Sequence, residues 1–235
     1  MTPDTGQPRI ETRVLALIPA YNAAHLLTPV VQGARAHLPV LVVDDGSADD
    51  TANVAEVAGA TVIRQRPNQG KGVALKTGFR RALEQNHDAV LTLDADGQHD
   101  PSEMPRFLDR YAATHADLII GARDFSQMPF IRKLSNRTGS RAFSWAMRTP
   151  IRDNQSGYRL VSRRLVEATL ESTEAGFELE VEQIVICLER HYALDWVPIR
   201  TIYGDEGSHI KPVQHVINFF RVVLEARRRT GRIHR

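Results

Sequence analysis

A single cysteine, Cys187, leaves no disulfide possible within the 235-residue chain. It falls among apolar residues at helical spacing and reads as a buried core thiol, which suits a reducing compartment. Long apolar runs are also missing. Nothing approaches the roughly 18 residues needed to span a bilayer, so no integral membrane segment is expected. The first 13 residues are polar, with Pro3, Gly6 and Pro8, and a secretory signal is not expected there. Aromatic residues make up only 6% of the chain. They form no recognisable platform, so a nucleic-acid partner is not expected. Charge of either sign is nearly balanced, with a net value of +2, but it is unevenly spread. Residues 221–235 carry six arginines against Glu225, a local +5, and the preceding 220 residues sum to −3. Such asymmetry points to an anionic partner for the tail.

What is present is enough apolar content, 42%, for one substantial core. The expected organisation is one domain over 1–211 and a basic amphipathic C-terminal helix over 212–235. The run from Ala89 to Leu93 is too short for a helix with its own apolar face and suits a strand covered on both sides. It ends in Asp94 and Asp96. Strands are likewise expected at Arg13–Pro19, Val40–Val43, Thr61–Arg64 and Asp117–Ile120. Helical spacing separates them at Ala24–His37, after Asp49 and Asp50 through Ala58, at Val73–Gln85 and at Pro101–His115. This alternation gives βαβ units and a doubly wound, mostly parallel sheet. Parallel strands share one direction. Pro19–Asn22, Asp44–Ser47, Asp94–Gln98 and Arg123 should therefore gather at one sheet edge, where open α/β sheets bind ligands.

Beyond Arg123 the alternation stops. A basic amphipathic helix is expected within Phe125–Pro150, then the segment DNQSGYRL at Asp153–Leu160, then a helix over Gly176–His191. On that helix Glu178, Glu180 and Glu182 alternate with apolar residues, so some of the acids should line a cavity. Tyr192–Tyr203 should supply one or two closing strands, followed by a loop over Gly204–Pro212.

Spacing excludes several phosphate and metal motifs. Gly70-Lys71 is followed by Gly72 where a P-loop needs Ser or Thr, and Leu75 stands where a dinucleotide fingerprint needs glycine. An EF-hand beginning at Asp94 would place His99 and Pro105 where Gly and Glu belong. The residues after Asp96 also lack the hydroxyl of aspartyl phosphatases. Carboxylates at several strand ends remain, with a Gly-Lys loop (Pro67–Gly72) suited to close approach by an anion.

Six ordered segments carry a family resemblance: PAYN (Pro19–Asn22), VDDGS (Val43–Ser47), NQGKG (Asn68–Gly72), DADGQ (Asp94–Gln98), GAR (Gly121–Arg123) and DNQSGYR (Asp153–Arg159). Together they resemble family 2 inverting glycosyltransferases of GT-A fold. The joint presence of DADGQ, GAR and QSGYR, without a processive QxxRW element, is most similar to the dolichyl-phosphate mannose synthase branch.

The resemblance implies a hexosyltransferase that takes a nucleotide-diphosphate sugar, GDP-mannose first among candidates, and a polyprenyl-phosphate acceptor. It implies that Pro19, Tyr21 and Asn22 flank the base and ribose, and that Asp45 bonds the base or ribose. Lys71, Asp94, Ala95 and Asp96 would complete the donor site. Asp96 and Gln98 would hold a divalent metal, and oxygen ligands favour Mg²⁺ or Mn²⁺. Asp94, Asp96 and Arg123 would be the catalytic set. Arg132, Arg137 and Ser156 would meet phosphates or the acceptor. At Ser208-His209 the sequence departs from the mannose synthases, which have Ser-Lys there, and His209 or Lys211 would take over that contact. UDP-glucose or UDP-N-acetylglucosamine is the rival donor. A non-catalytic nucleotide-sugar binding protein and a nucleotidyltransferase are more distant alternatives. From Pro212, Val213, Val216, Ile217, Phe220, Val223 and Leu224 recur at helical spacing, reading either as a cap on the core or as an interfacial helix on anionic lipid. A cytoplasmic protein associated with the inner membrane face is the expected setting.

Overall fold

The computed structural model describes residues 12–123, 141, 143–176, 178–200, 202 and 227. In chain order the elements are β1 (Val14–Ala20), α1 (Ala24–Arg35), β2 (Val40–Asp44), α2 (Thr51–Val57), β3 (Thr61–Arg64), α3 (Lys71–Glu84), β4 (Ala89–Thr92), α4 (Met104–Thr114), β5 (Leu118–Arg123), β6 (Arg159–Ser162), α5 (Arg163–Leu170), α6 (Glu178–Glu189) and β7 (Leu194–Ile199). The strands form one seven-stranded sheet in the order β3-β2-β1-β4-β6-β5-β7. All pairings are parallel except those of β6 with β4 and β5. β5 therefore still points the same way as β4, and the C-terminal ends of β1, β2, β4 and β5 open on one edge as expected.

Two apolar layers cover the sheet because successive strand residues face opposite sides. Along β1, Leu15 and Leu17 join Phe79 and Leu75 of α3, Leu165 of α5 and Ile184 of α6. Val14, Ala16 and Ile18 face the other way, against Leu27 and Val31 of α1 and Met104 and Phe107 of α4. Cys187 is buried in the first layer, and burial pushes its thiol up to about 12. It is the expected inert core thiol.

Three expectations change. β1 runs through Pro19 to Ala20, with Pro19 in register with Val43. Ala16 and Ala20 direct their backbone groups to the β2 side, the Ala16 amide to Pro39 O at 2.9 Å and Ala20 O to the Asp45 amide at 2.8 Å. Pro19 thus faces the β4 side, where pairing has already ended at Leu17 and Thr92, so its missing N–H leaves no gap in the ladder. β6 starts within the DNQSGYRL segment, where no strand is expected, because four buried residues beginning with an arginine show no alternation. The helix α5 was also not anticipated. It begins at an N-cap, Ser162, whose side chain accepts the Leu165 amide. The closing segment is one strand, β7. The basic helix within 125–150 is described only in part, and the 211/212 boundary lies outside the described residues, where only Arg227 of the tail is described, in helical conformation.

Candidate active site

Four loops at the C-terminal sheet edge are tied together by their own side chains. After β1, Asn22 adopts a left-handed backbone with φ 50°. Its amide donates to Ser47 Oγ at 2.9 Å, and its Oδ1 accepts the Ala48 amide at 2.8 Å. Asp44 Oδ1 accepts the Ser47 amide at 3.1 Å. The PAYN and VDDGS segments thus brace each other, leaving Tyr21 54% exposed beside them. Asp45 turns inward. Its Oδ1 accepts Gln65 Nε2 at 3.1 Å and the Gln69 amide at 2.9 Å, and its Oδ2 accepts the Gly70 amide at 2.7 Å. The carboxylate is buried and shapes the NQGKG loop, so its structural task is visible apart from any contact with a base or ribose.

Lys71 opens α3, where a cation opposes the helix dipole. It is held there by two acids from other elements: Nζ lies 2.6 Å from Asp94 Oδ1 and 3.1 Å from Glu180 Oε1. Burial alone would lower the Lys71 ammonium, but Asp94 and Glu180 overcome it and hold the group well above its ordinary value. Burial would likewise raise Asp94, but Lys71, with His99, holds that carboxyl down at about 2. His99 Nδ1 accepts the Asp94 amide at 3.1 Å, and burial keeps this imidazole below its usual value. Its ring lies 5.1 Å from that of Tyr158.

Asp96 differs. It is exposed at the rim, and Oδ1 accepts the Gln98 amide at 2.9 Å. Partial desolvation, then the neighbouring Asp94 charge, raise its carboxyl above the ordinary value. No described cation pairs with it, so this is the position where added positive charge would be most stabilising. The Gln98 carbonyl accepts the Ile202 amide at 3.1 Å, tying this loop to the chain leaving β7. The buried Glu103 carboxylate adds a second tie, accepting the Arg200 amide at 3.2 Å.

On the far side, Arg123 at the end of β5 grips Asp153 through two bonds, Nε to Oδ2 at 2.6 Å and Nη2 to Oδ1 at 3.0 Å. Asp153 is buried, so the pair fixes the DNQSGYR loop against β5. Arg159, fully buried, holds that loop from beneath. Its Nε donates to Ser156 O at 2.6 Å and its Nη2 to Asn154 O at 3.1 Å. Its Nη1 donates to Glu180 O at the start of α6. Two buried polar atoms nearby, Ser156 Oγ and Gln183 Nε2, have no hydrogen-bond partner among the described residues. Gly157 lies so close to Asp94 that a Cβ would meet Oδ2 at 2.6 Å.

Lys71, Asp94, Ala95, Asp96 and Gln98 are therefore brought to the edge where Pro19, Tyr21, Asn22 and Asp45 stand, with Arg123 and Ser156 opposite. Arg132, Arg137, His209 and Lys211 lie outside the described residues. Sequence reading did not single out His99, Asp153 or Arg159. The alternating glutamates of α6 were the one signal that pointed to Glu180, which is indeed buried against Lys71.

With this geometry in view, comparison with known proteins decides the family: the sequence model of Glycosyl transferase family 2 matches residues 16–169. The chain belongs to that family. It is a glycosyltransferase, and the strand-end segments described above fall in the matched span, whereas Glu180, Gln183 and the β7 ties lie beyond it. The chain is 32% identical to an undecaprenyl-phosphate mannosyltransferase of Micrococcus luteus, over 72% of this chain and 76% of that protein. It is 27% identical to a UDP-N-acetylglucosamine–dolichyl-phosphate N-acetylglucosaminyltransferase of Methanococcus voltae, over 82% of this chain and 86% of that one. Among solved structures it resembles glucosyl-3-phosphoglycerate synthase of Mycobacterium tuberculosis in complex with Mn²⁺, UDP-glucose and phosphoglyceric acid. That likeness has a TM-score of 0.74 at 18% identity, over 92% of this chain and 80% of the other, and it supports the GT-A fold. No helix among the described residues is long and apolar enough to cross a membrane.

Proposed function

We propose that this glycosyltransferase moves a hexose, most simply from GDP-mannose, to a polyprenyl phosphate with inversion at the anomeric carbon. The observation that carries the reading is the contrast between two acids at the end of β4. Asp94 is already neutralised by Lys71, whereas Asp96 is exposed, uncompensated and raised. Asp94 is thus built to accept hydrogen bonds from the donor. Asp96, with Gln98, is built to face a cation. Among the described residues no cluster of three or more His, Cys, Asp or Glu could hold a metal alone. This fits an ion completed by substrate phosphates, as Mg²⁺ and Mn²⁺ commonly are. When bound, such an ion would neutralise charge developing on the departing nucleoside diphosphate.

Pro19, Tyr21 and Asn22 would flank the base and ribose. Asp45 would act with them by shaping the loop that carries Lys71. The acceptor phosphate is ionised at neutral pH, so its oxygen can attack the anomeric carbon without a strong general base. Ser156 Oγ, buried and without a partner among the described residues, would donate to that phosphate. Arg123 would contribute positive charge beside it while its fork holds Asp153, and Arg132, Arg137, His209 and Lys211 would add phosphate contacts. The basic tail would rest on anionic lipid at the cytoplasmic membrane face, where such an acceptor is presented.

A UDP-N-acetylglucosamine donor is the second reading, favoured by the relative from Methanococcus voltae. Transfer assays with GDP-mannose, UDP-glucose and UDP-N-acetylglucosamine, with and without Mn²⁺ and a short polyprenyl phosphate, separate the two. Absence of turnover and of thermal shift with every donor would reject this donor and acceptor assignment.

A further inference from the structure

Beyond the sheet edge, residues 143–147 form a helical turn whose buried side, Phe143, Ala146 and Met147, belongs to the core layer shared with α3 and α6. Its other side carries Trp145, 60% exposed. The helix stops at Arg148, whose left-handed backbone (φ 53°) swings the chain back across its foot. There the Ile151 amide donates to Ser144 Oγ at 2.9 Å, and Ile151 is itself buried. The turn is thus a fixed platform. It borders a shallow cavity of about 470 Å³ lined by Trp145, Arg148, Pro150 and Arg152 among others.

Among the described residues its charge is of one sign. Arg141, Arg148 and Arg152 are exposed, with no salt bridge among the described residues, and no acid occurs in 141–152. Asp195, the described acid that feels Arg152, is already engaged by Arg110 at 2.6 Å. Arg227 adds to the same place, because its guanidinium stacks 3.4 Å from the Trp145 ring centroid. An exposed tryptophan ringed by arginines matches the headgroup layer of a bilayer, where indole sits between apolar and wet regions and anionic phosphates pair with guanidinium groups.

We infer that the face formed by Trp145, Arg141, Arg148, Arg152 and Arg227 docks the enzyme onto an anionic lipid bilayer. Arg152 immediately precedes Asp153, which Arg123 clamps. A bilayer on this face therefore meets the loop that carries Ser156. The inference rests on the lipid-acceptor reading for its purpose but not for its test, because the vesicles used contain no polyprenyl phosphate and no donor.

The test is co-sedimentation of the full chain with vesicles of phosphatidylcholine alone or mixed equally with phosphatidylglycerol. The expected result is partitioning onto the mixed vesicles only, weakened by salt. Each arginine near the surface is expected to be worth about fivefold in partitioning, so Arg148→Ala with Arg152→Ala should lower it about 25-fold. The chain has two tryptophans, so in Trp196→Phe the emission reports Trp145 and should shift to the blue on mixed vesicles. The arginine variants carry the test independently of that replacement. Equal binding to neutral vesicles, unchanged partitioning of the double variant, or a blue shift caused by protein concentration alone would overturn the inference, the last pointing to a second copy of the chain. Transfer to a water-soluble short-chain acceptor, measured in parallel, reports the proposed reaction separately.

Discussion

Lys71 Nζ lies 2.6 Å from Asp94 Oδ1, a contact between the first residue of α3 and the end of β4. The ammonium also serves Glu180, so one cation balances two largely buried acids. Lys71→Met should leave both uncompensated and cost about 3 kcal/mol of stability, within the range for breaking a buried pair. Turnover should fall at least about 100-fold, consistent with misplacing a donor contact. Thermal unfolding and initial rates check both. Lys71→Met with Glu180→Gln should recover part of the stability but not the activity, because Asp94 still lacks its partner.

Gly157 makes a different test of the same carboxylate. A Cβ there would meet Asp94 Oδ2 at 2.6 Å, so Gly157→Ala must displace either the β6 approach or the acid. The expected stability loss is about 1–3 kcal/mol, as for modest overpacking. Donor affinity, measured by calorimetry, should fall more than tenfold. Wild-type affinity in this variant would show that the position of Asp94 does not matter to the donor.

The sheet and its binding edge were legible in the sequence because buried parallel strands are nearly continuous apolar runs ending in Asp44-Asp45, Asp94 or Arg123. β6 was not, since its reversed direction is set by register partners 67–73 residues away in β4, such as Thr92 with Arg159 and Ala89 with Ser162, and 39–43 residues away in β5, such as Ile120 with Arg159 and Leu118 with Val161. The acids of the site were legible as residues. Their inequality was not, because it depends on Lys71 and Glu180 arriving from separate helices. Asp45 likewise looked like a ligand contact by position, and its three loop hydrogen bonds emerge only from the tertiary arrangement.

Asp117 should contribute to acid stability away from the active site. Burial alone would raise its carboxyl, but hydrogen bonds from Arg164, then from the Ala193 amide and Ser162, hold it below the ordinary value of 3.8. A group whose folded value is depressed contributes stability above its unfolded value and loses it as the pH falls through the folded one. The loss should therefore begin near pH 4 and deepen below it. In Asp117→Asn the melting temperature should be lower at pH 7 by an amount corresponding to about 2–3 kcal/mol, and the gap to wild type should narrow below pH 4. A constant gap would assign the acid sensitivity to other carboxylates.

Asp96 separates metal dependence from folding. Its carboxyl is exposed, bonds only the Gln98 amide among the described hydrogen bonds, and is raised by its surroundings and by Asp94. Replacing it with Asn removes a charge that the protein itself does not neutralise, so stability should hold or rise slightly while the response to Mn²⁺ disappears. In wild type, a chelator should abolish transfer without changing the melting temperature of the free protein, and added Mn²⁺ or Mg²⁺ should restore it. Donor binding measured with and without metal completes the comparison: metal should strengthen it at least about tenfold in wild type and leave Asp96→Asn unaffected. If the variant kept metal-stimulated turnover, the cation would have to be held elsewhere, and the division of labour between Asp94 and Asp96 would fail.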